Sequence, residues 1–214
     1  MLIDIHTHNN SEDADIAIIN QFAYDVKPVA ENQQYSCGIH PWFIQEDKVY
    51  IWLKQIEELC QEKKIVAIGE CGLDKNIKNL EFQKIVFKDQ IRLSEQYRLP
   101  VIVHSVKTHH IVSEIRNSSL AKQPWIIHGY NGSLETAQQF VKQNIFISFG
   151  ENLIKHPDKF QKLLSCLDLD FLLLETDDSE ISIADVYRQA AKNLSMDMGL
   201  LEKRIEANFN SVFG

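Results

Sequence analysis

The 214-residue sequence lacks a long apolar run, an excess of basic residues and a pattern of closely paired cysteines. Because no stretch of about 18 apolar residues is present, nothing predicts a membrane-spanning helix. The first residues, MLIDIH, also lack the charged start, apolar stretch and cleavage site of a signal peptide. These absences predict a cytoplasmic protein with no membrane partner.

Basic residues are in deficit, since 22 Lys and Arg stand against 30 Asp and Glu, a formal net charge of -8. The chain as a whole therefore does not attract nucleic acid or an anionic membrane. A polyanionic substrate would have to be captured locally, by metal ions, by a small basic patch or by helix N-termini.

The cysteines are few and scattered. The four of them, Cys37, Cys60, Cys71 and Cys166, include no Cys-x-x-Cys pair. This spacing argues against both a disulfide framework and a zinc ribbon, and it favours reduced thiols.

A pattern that does recur is a short apolar run, a polar turn and an amphipathic stretch, which is typical of βα units around a parallel sheet. No linker rich in Pro, Gly or Ser divides the chain, so we predict a single domain over residues 1–214. The predicted strands are 2–6, 15–21, 35–39, 64–70, 100–104, 125–128, 145–150 and 171–177. The predicted helices are 49–63, 80–98, 134–144, 159–167, 184–195 and 198–213. Eight strands with intervening helices can form a closed (β/α)8 barrel or an open doubly wound sheet.

The positions of polar residues favour the closed barrel. Histidines and carboxylates stand at or just after the ends of six predicted strands, namely His6, His8, His40, Glu70, His104, His128 and Asp177. In a closed barrel the C-terminal ends of the strands meet at one rim, whereas an open sheet would spread them along an edge. We therefore predict an α/β fold of the TIM-barrel type.

The same residues have the chemistry of a metal site. His6 and His8 are two residues apart on a strand, so their side chains point to the same side and can bind one ion. Four histidines and two carboxylates exceed what one tetrahedral zinc ion needs, and they fit two divalent ions sharing a carboxylate better. Such a pair activates water for attack on a phosphate or carbonyl centre, but the ligands do not fix the metal as Mg, Mn, Zn, Fe or Co.

Six motifs carry a family resemblance: DIHTH, GIHPW, GECGLD, LPVIVHS, IIHGYNGS and LLLETDD. In their order and context the chain resembles the TatD-like metal-dependent hydrolases, from residue 2 to the closing NFNSVF at 208–213. DIHTH alone also resembles the opening of the PHP phosphoesterases. The TatD resemblance implies a TIM barrel, two divalent metal ions and phosphodiester hydrolysis, with exonuclease-like DNase activity on DNA.

The resemblance also implies a role for each matched metal ligand. His6 and His8 would bind one ion. His104 and His128 would bind the second, and Glu70 would bridge the two ions.

Two matched residues would act on the substrate. Asp177 would lie near the first ion and would orient or deprotonate the attacking water. His40 would contact the scissile phosphate rather than a metal.

Three departures from the family pattern leave the substrate class open. The family usually has an arginine shortly after the HS motif, but here the text is HSVKTHH, so Lys107 or a nearby histidine would supply the phosphate contact. The usual proline after ETD-x is replaced by Ser179. The segment DSEISIADVY is short and lacks the Asn-Pro loop that normally walls the site.

Three further residues are candidate substrate contacts, each with a structural alternative. Gly132 and Ser133 precede a predicted helix, where free backbone N–H groups make an anion site, or Ser133 simply caps the helix. Tyr130 follows His128 by two residues and would either stack on a base or pack in the core.

Two alternatives to a nuclease stay open at this stage. One keeps the metals but changes the substrate to a small phosphoester or an aminoacyl ester. The other is a non-catalytic barrel that binds metal. The sequence leaves the oligomeric state open, a monomer included.

Overall fold

The structure, a computed structural model, describes residues 1–9, 11–30 and 32–214. Its strands are β1 (Ile3–Thr7), β2 (Ile16–Phe22), β3 (Gln34–Gly38), β4 (Ala67–Asp74), β5 (Val101–Val106), β6 (Trp125–Ile127), β7 (Ile145–Phe149) and β8 (Leu172–Leu174). Its helices are α1 (Val49–Gln61), α2 (Leu80–Tyr97), α3 (His109–Ser118), α4 (Leu134–Lys142), α5 (Asn152–Lys155), α6 (Pro157–Ser165), α7 (Ile183–Leu194) and α8 (Met198–Phe213). Short 3-10 turns cover Pro41–Phe43 and Leu169–Phe171.

The eight strands form one parallel sheet in the order β1 to β8, so each strand lies beside its neighbours in sequence. The chain that follows β8 returns to β1: Asp177 N donates to His6 O over 2.9 Å, and His8 N donates to Asp177 O over 2.9 Å. A parallel sheet in sequence order that closes its last strand on its first is a (β/α)8 barrel. The predicted fold class is confirmed.

The contacts of the chain group into two compact units, each described here by itself. The first unit is Met1–Ile19 with Ile127–Gly214, and the second is Asn20–Ile126. The single domain over residues 1–214 stays a prediction. Within the ranges that the structure describes, no helix is both long enough and apolar enough to cross a bilayer.

In the first unit, helices pack their apolar faces on β1, β7 and β8. On α7 the buried residues Ile183, Val186, Tyr187 and Ala190 recur at the three- and four-residue spacing of a helix face. Ser182 caps this helix by accepting from Asp185 N. Burial of each large apolar side chain stabilises the fold by roughly 1.5–3 kcal/mol.

In the second unit, α2 packs on β4 and fixes the neighbouring strand ends. The buried Gln90 amide binds the backbone of Ile39 twice, accepting from its N–H over 2.7 Å and donating to its carbonyl over 3.2 Å. Gly72 lies so close to β5 that a Cβ there would stand 2.2 Å from His104 O, so a side chain at this position would push the two strands apart.

The observed elements differ most from the predicted ones in three places. Strand β4 starts at Ala67 and continues past its predicted end at Glu70 to Asp74. Gly72 does not end the strand, because the absence of a side chain there allows β4 and β5 to approach. Strand β8 stops at Leu174, three residues before the predicted end. Helices α3 and α5 had no predicted counterpart.

Candidate metal centre

A first cluster forms where β1 ends and where the chain leaves β8. His6 Nε2 lies 3.4 Å from Asp177 Oδ1, and His8 Nε2 lies 3.3 Å from the same oxygen. The His6 and His8 rings are 5.1 Å apart, as expected for side chains two residues apart on one strand face. The ligand atoms of these three residues all lie within 4.8 Å of one another.

His128 and Glu175 extend this first cluster. The His128 ring lies 4.6 Å from the His6 ring, and His128 Nδ1 lies 3.5 Å from Glu175 Oε1. Glu175 Oε1 accepts from Gly129 N over 2.5 Å. Its other oxygen, Oε2, is buried and finds no hydrogen-bond donor among the described residues. A buried carboxylate oxygen without a donor is costly unless a cation binds it.

The backbone of the first cluster is held by Asp4 and Thr176. Asp4 Oδ2 accepts from Thr176 Oγ1 over 2.6 Å, and Asp4 Oδ1 accepts from Thr176 N over 3.0 Å. Burial raises the pKa of Asp4 to about 6, although hydrogen bonds from Thr176 and Ser11 oppose the rise. These bonds tie β1 to the chain after β8 and so bring Asp177 to the two histidines.

The charge state of Asp177 suits a ligand. Burial alone would raise the pKa of this carboxyl, but hydrogen bonds from His6 and His8 and the charge of His128 outweigh burial and hold its pKa well below the usual range. Asp177 also has a left-handed backbone with φ of 57°, a conformation that Asp adopts more readily than most residues.

A second cluster lies within the second unit, formed by one residue just after β3 and by residues within β4 and β5. Glu70 Oε1 is 2.7 Å from His104 Nδ1 and 3.2 Å from His40 Nε2. The His40 and His104 rings are 4.4 Å apart. Asn20 holds the Glu70 backbone, since Asn20 Oδ1 accepts from Glu70 N over 2.7 Å. The three ligand atoms again lie within 4.8 Å of one another.

A buried carboxylate, Asp74, lies behind the second cluster. Its Oδ2 accepts from Trp42 Nε1 over 2.8 Å and lies 3.7 Å from His104 Nε2. Its Oδ1 accepts from Asn76 N over 2.8 Å. Lys107 Nζ in turn donates to Asn76 Oδ1 over 3.1 Å, which places a cation two hydrogen bonds from Asp74.

Both clusters have the donor set of a divalent metal site. Within the single units, three sets of imidazole nitrogens and carboxylate oxygens are compact enough to hold an ion, namely His6, His8 and Asp177; His128, Glu175 and Asp177; and His40, Glu70 and His104. Mixed imidazole and carboxylate ligands suit Zn, Mn, Fe or Co. The buried Glu175 Oε2, which lacks a hydrogen-bond donor among the described residues, also fits a cation site.

The structure places each predicted ligand in one of the two clusters. His6, His8 and Asp177 lie together in the first cluster, and their binding of an ion stays a prediction. His128 lies beside His6 and Glu175, and its predicted sharing of an ion with His104 stays a prediction. His40 lies against Glu70, so it stands next to the ligands of the second cluster.

The candidate substrate contacts after β6 are explained by packing. Tyr130 is only 1% exposed, packs on Phe149 with ring centroids 5.7 Å apart, and donates its hydroxyl to Ser133 O over 2.6 Å. The expectation that Tyr130 stacks on a base is therefore corrected, because its ring has no open face. Ser133 caps α4 by accepting from Thr136 N, and a Cβ at Gly132 would meet the Tyr130 hydroxyl. Anion binding by Gly132 and Ser133 stays a prediction.

Sequence reasoning missed two carboxylates, Glu175 and Asp74. Both stand inside quoted motifs, LLLETDD and GECGLD, but the predicted strand ended at Glu70 and only the last acid of ETD was selected. A signal for Asp74 was available, since Glu70, Gly72 and Asp74 alternate with apolar residues and therefore share one face of a strand.

A (β/α)8 barrel whose strand ends carry clustered histidines and carboxylates has the architecture of a metal-dependent hydrolase. Comparison with known proteins narrows this class. A family profile described as "TatD related DNase" matches residues 22–214, and the chain belongs to that family.

Two curated relatives and one solved structure illustrate the similarity. The chain is 33% identical over 162 residues to the "Uncharacterized metal-dependent hydrolase YjjV" of Escherichia coli K12, covering 71% of this chain and 61% of the relative. It is 26% identical over 159 residues to the "3'-5' ssDNA/RNA exonuclease TatD" of Citrobacter koseri, covering 68% and 59%. These alignments span about three fifths of either relative. The crystal structure of the E. coli YjjV protein superposes with a TM-score of 0.82 at 24% identity, over 99% of this chain and 97% of that one, which supports the fold.

Proposed function

We propose that this chain is a divalent-metal-dependent hydrolase that cleaves phosphodiester bonds of DNA, in an exonuclease-like manner. The observation that carries the proposal is the meeting of the His6, His8 and Asp177 ligand atoms within 4.8 Å, although Asp177 lies some 170 residues from the histidines along the chain. Membership of the TatD-related family supports the same reaction class. One relative is itself named an exonuclease of single-stranded DNA and RNA.

The proposed site holds two divalent ions. His6, His8 and Asp177 would hold one. Glu70 and His104 would take part in holding the other. When bound, such ions lower the pKa of a water molecule and neutralise charge on a phosphate.

The protein side chains would divide the remaining work. Asp177 is half-buried and ionised, so it can orient the attacking water and accept its proton. His40 is held by Trp42 N, which donates to its Nδ1 over 3.1 Å, and its Nε2 lies 3.2 Å from Glu70 Oε1, so His40 would contact the scissile phosphate from beside the second cluster. Lys107 would supply local positive charge for the phosphate in a chain whose net charge is -8.

A direct assay tests the proposal. Single-stranded oligonucleotides labelled at the 5′ or the 3′ end are incubated with purified protein and Mn²⁺ or Mg²⁺, with EDTA as the metal-free control. We expect stepwise shortening that EDTA and the Asp177→Ala substitution both abolish. Intact oligonucleotide under every metal condition would reject the nuclease assignment, and full activity of Asp177→Ala would remove Asp177 from the mechanism.

A second candidate substrate is an aminoacyl ester, and one feature favours it. A cavity of about 470 Å³ beside the first cluster is lined by Thr7 and Thr176 and by four acids, Glu12, Asp13, Asp178 and Glu180. These acids repel a phosphate backbone and attract an ammonium group. Cleavage of an aminoacyl ester by protein that leaves DNA intact would support this candidate over the first.

A further inference from the structure

Trp42 is fixed in place although its side chain is mostly exposed. It lies in the 3-10 turn Pro41–Phe43 and is 58% exposed, whereas the other two tryptophans, Trp52 and Trp125, are 8% and 0% exposed. Its indole Nε1 donates to Asp74 Oδ2 over 2.8 Å, and its backbone N donates to His40 Nδ1 over 3.1 Å. A large aromatic side chain held by two hydrogen bonds and left open to solvent is not explained by core packing.

The indole stands beside the second cluster. Its centroid lies 5.1 Å from the His40 ring at an interplanar angle of 87°, and 6.1 Å from the His104 ring at 77°. Both contacts are edge contacts, so they do not cover the indole with a stacked ring. A flat apolar surface therefore remains available next to the ligands of the proposed ion.

Asp74 connects this surface to the cluster. The same carboxylate oxygen that accepts from Trp42 lies 3.7 Å from His104 Nε2, and Asp74 is buried. One carboxylate therefore holds the indole by a hydrogen bond and lies close to the His104 ring. A ring that stacked on Trp42 would be held at a fixed distance from the cluster.

Resting on the proposed function, we propose that Trp42 is a substrate-binding residue whose exposed indole stacks on the unpaired nucleobase adjacent to the scissile phosphate. Stacking on an aromatic side chain is tolerant of base identity, because every base has a flat face. It requires a base that is free of its partner strand. Trp42 therefore selects single-stranded ends, and Lys107, two hydrogen bonds from Asp74, would supply positive charge for the flanking phosphate.

The test measures binding in an Asp177→Ala background, where the DNA is not consumed. A fluorescein-labelled single-stranded oligonucleotide is titrated in the presence of Mn²⁺ and followed by anisotropy, with three further substitutions compared. We expect Trp42→Ala to weaken binding roughly 5- to 100-fold, as for loss of one stacked base, and Trp42→Phe to keep most of the affinity. Tyr50→Ala removes another exposed aromatic ring from the same unit, one that contacts Lys54, and should change nothing.

A second measurement changes the oligonucleotide and leaves the protein unaltered, so protein stability does not affect it. An oligonucleotide with an abasic terminal nucleotide should bind the Asp177→Ala protein as weakly as the intact oligonucleotide binds the Trp42→Ala protein, and the effects of the two losses should not add. The stacking proposal would be overturned if Trp42→Ala left the affinity unchanged, or if the losses from Trp42→Ala and from the abasic nucleotide were additive. It would also be overturned if the oligonucleotide did not bind at all. Base-dependent binding by a protein that cleaves no DNA would instead reject the proposed nuclease function and leave the stacking proposal standing.

Discussion

Glu70 and His104 stand on neighbouring strands, and Glu70 Oε1 lies 2.7 Å from His104 Nδ1. The register of β4 and β5 pairs Gly72 with His104, which brings the residue two positions before Gly72 to the same face. Both side chains are buried. A carboxylate and an imidazole held together in this way would form a preorganised half of the proposed metal site, and neither is free to turn into solvent.

We expect Glu70→Gln to lower the affinity for Mn²⁺ by roughly 10- to 100-fold or more. Losses of about this size are typical even when the substituted residue only supports a metal ligand. Gln keeps the shape of Glu but loses its charge and offers a weaker ligand oxygen. Isothermal titration of metal-free protein with Mn²⁺ measures the change. Glu114→Gln, on the exposed side of α3, is the matched control and should bind as the unaltered protein does. Unchanged affinity in Glu70→Gln would exclude Glu70 as a ligand.

We expect Asp177→Asn to reduce the proposed hydrolysis roughly 10²- to 10⁴-fold, the range typical of a lost general base. The carboxylate lies within 3.4 Å of both His6 and His8, so its loss also removes the negative charge that this cluster presents to an ion. Initial rates on a labelled oligonucleotide measure the effect. Asp178→Asn changes the next position, which is exposed, and should retain the rate of the unaltered protein. An equal loss of rate in both variants would show that the negative charge of this segment, and not Asp177 in particular, supports the reaction.

The fold and most of the clustered histidines and carboxylates could be predicted from the sequence because both follow from local patterns. Alternating apolar runs and amphipathic stretches define βα units, and a polar residue that follows an apolar strand falls at the rim of a barrel. His6, His8 and Asp177 are found in this way. The pairing of His40 with Glu70 follows from the order of the strands once they are known to be adjacent.

The missed features depend on contacts between distant segments. The continuation of β4 to Asp74 requires the close approach of Gly72 to β5, which one strand alone does not reveal. Tyr130 follows a strand and carries a polar hydroxyl, which is typical of a residue at the rim of the barrel. Its hydroxyl, however, donates to the nearby Ser133 carbonyl, and this hydrogen bond lets the ring pack in the core. Helix α3 begins with His109 and His110, and these polar residues obscured the apolar face formed by Ile111, Val112 and Ile115.

The buried carboxyl of Asp4 predicts a pH dependence of stability in metal-free protein. Burial raises its folded pKa from 3.8 to about 6, so the folded state binds more protons than the unfolded state between these values. The contribution of Asp4 to stability is therefore largest below about pH 4 and is lost as the pH rises through 6. Over that interval the loss is on the order of 3 kcal/mol.

Urea unfolding of the unaltered protein and of Asp4→Asn at pH 4, 5, 6 and 7 isolates this effect. Asn keeps one acceptor for Thr176 and does not titrate. We expect the free energy of unfolding of the unaltered protein, measured relative to Asp4→Asn, to fall as the pH rises. A difference that stays constant, or grows with pH, would contradict the raised pKa.

The thiols predict a simple chemical count. Cys37, Cys60 and Cys71 are buried, and burial raises the pKa of Cys37 and of Cys60 to about 12 and that of Cys71 further still, whereas Cys166 is exposed. We expect Ellman's reagent at pH 8 to titrate one thiol in the folded protein and four after denaturation. In Cys166→Ser the rapid reaction of the folded protein should disappear; a residual rapid thiol would mean that one of the buried cysteines is reached in solution.

Lys107 predicts a change in salt dependence that separates a phosphate contact from a structural role. Lys107 Nζ is exposed and donates to Asn76 Oδ1, just after Asp74 at the end of β4. Removing one phosphate contact lowers the slope of log affinity against log salt concentration by about 1. Binding of a labelled single-stranded oligonucleotide by the Asp177→Ala protein is measured with and without Lys107→Ala. Salt concentrations between 50 and 200 mM are used, because affinity changes over that range by on the order of tenfold for every few phosphate contacts. Lys88→Ala removes an exposed lysine of α2 and should leave the slope unchanged. Because the chain is acidic overall, a slope that ignored Lys107 would mean that bound metal, and not this lysine, supplies the charge that captures the substrate.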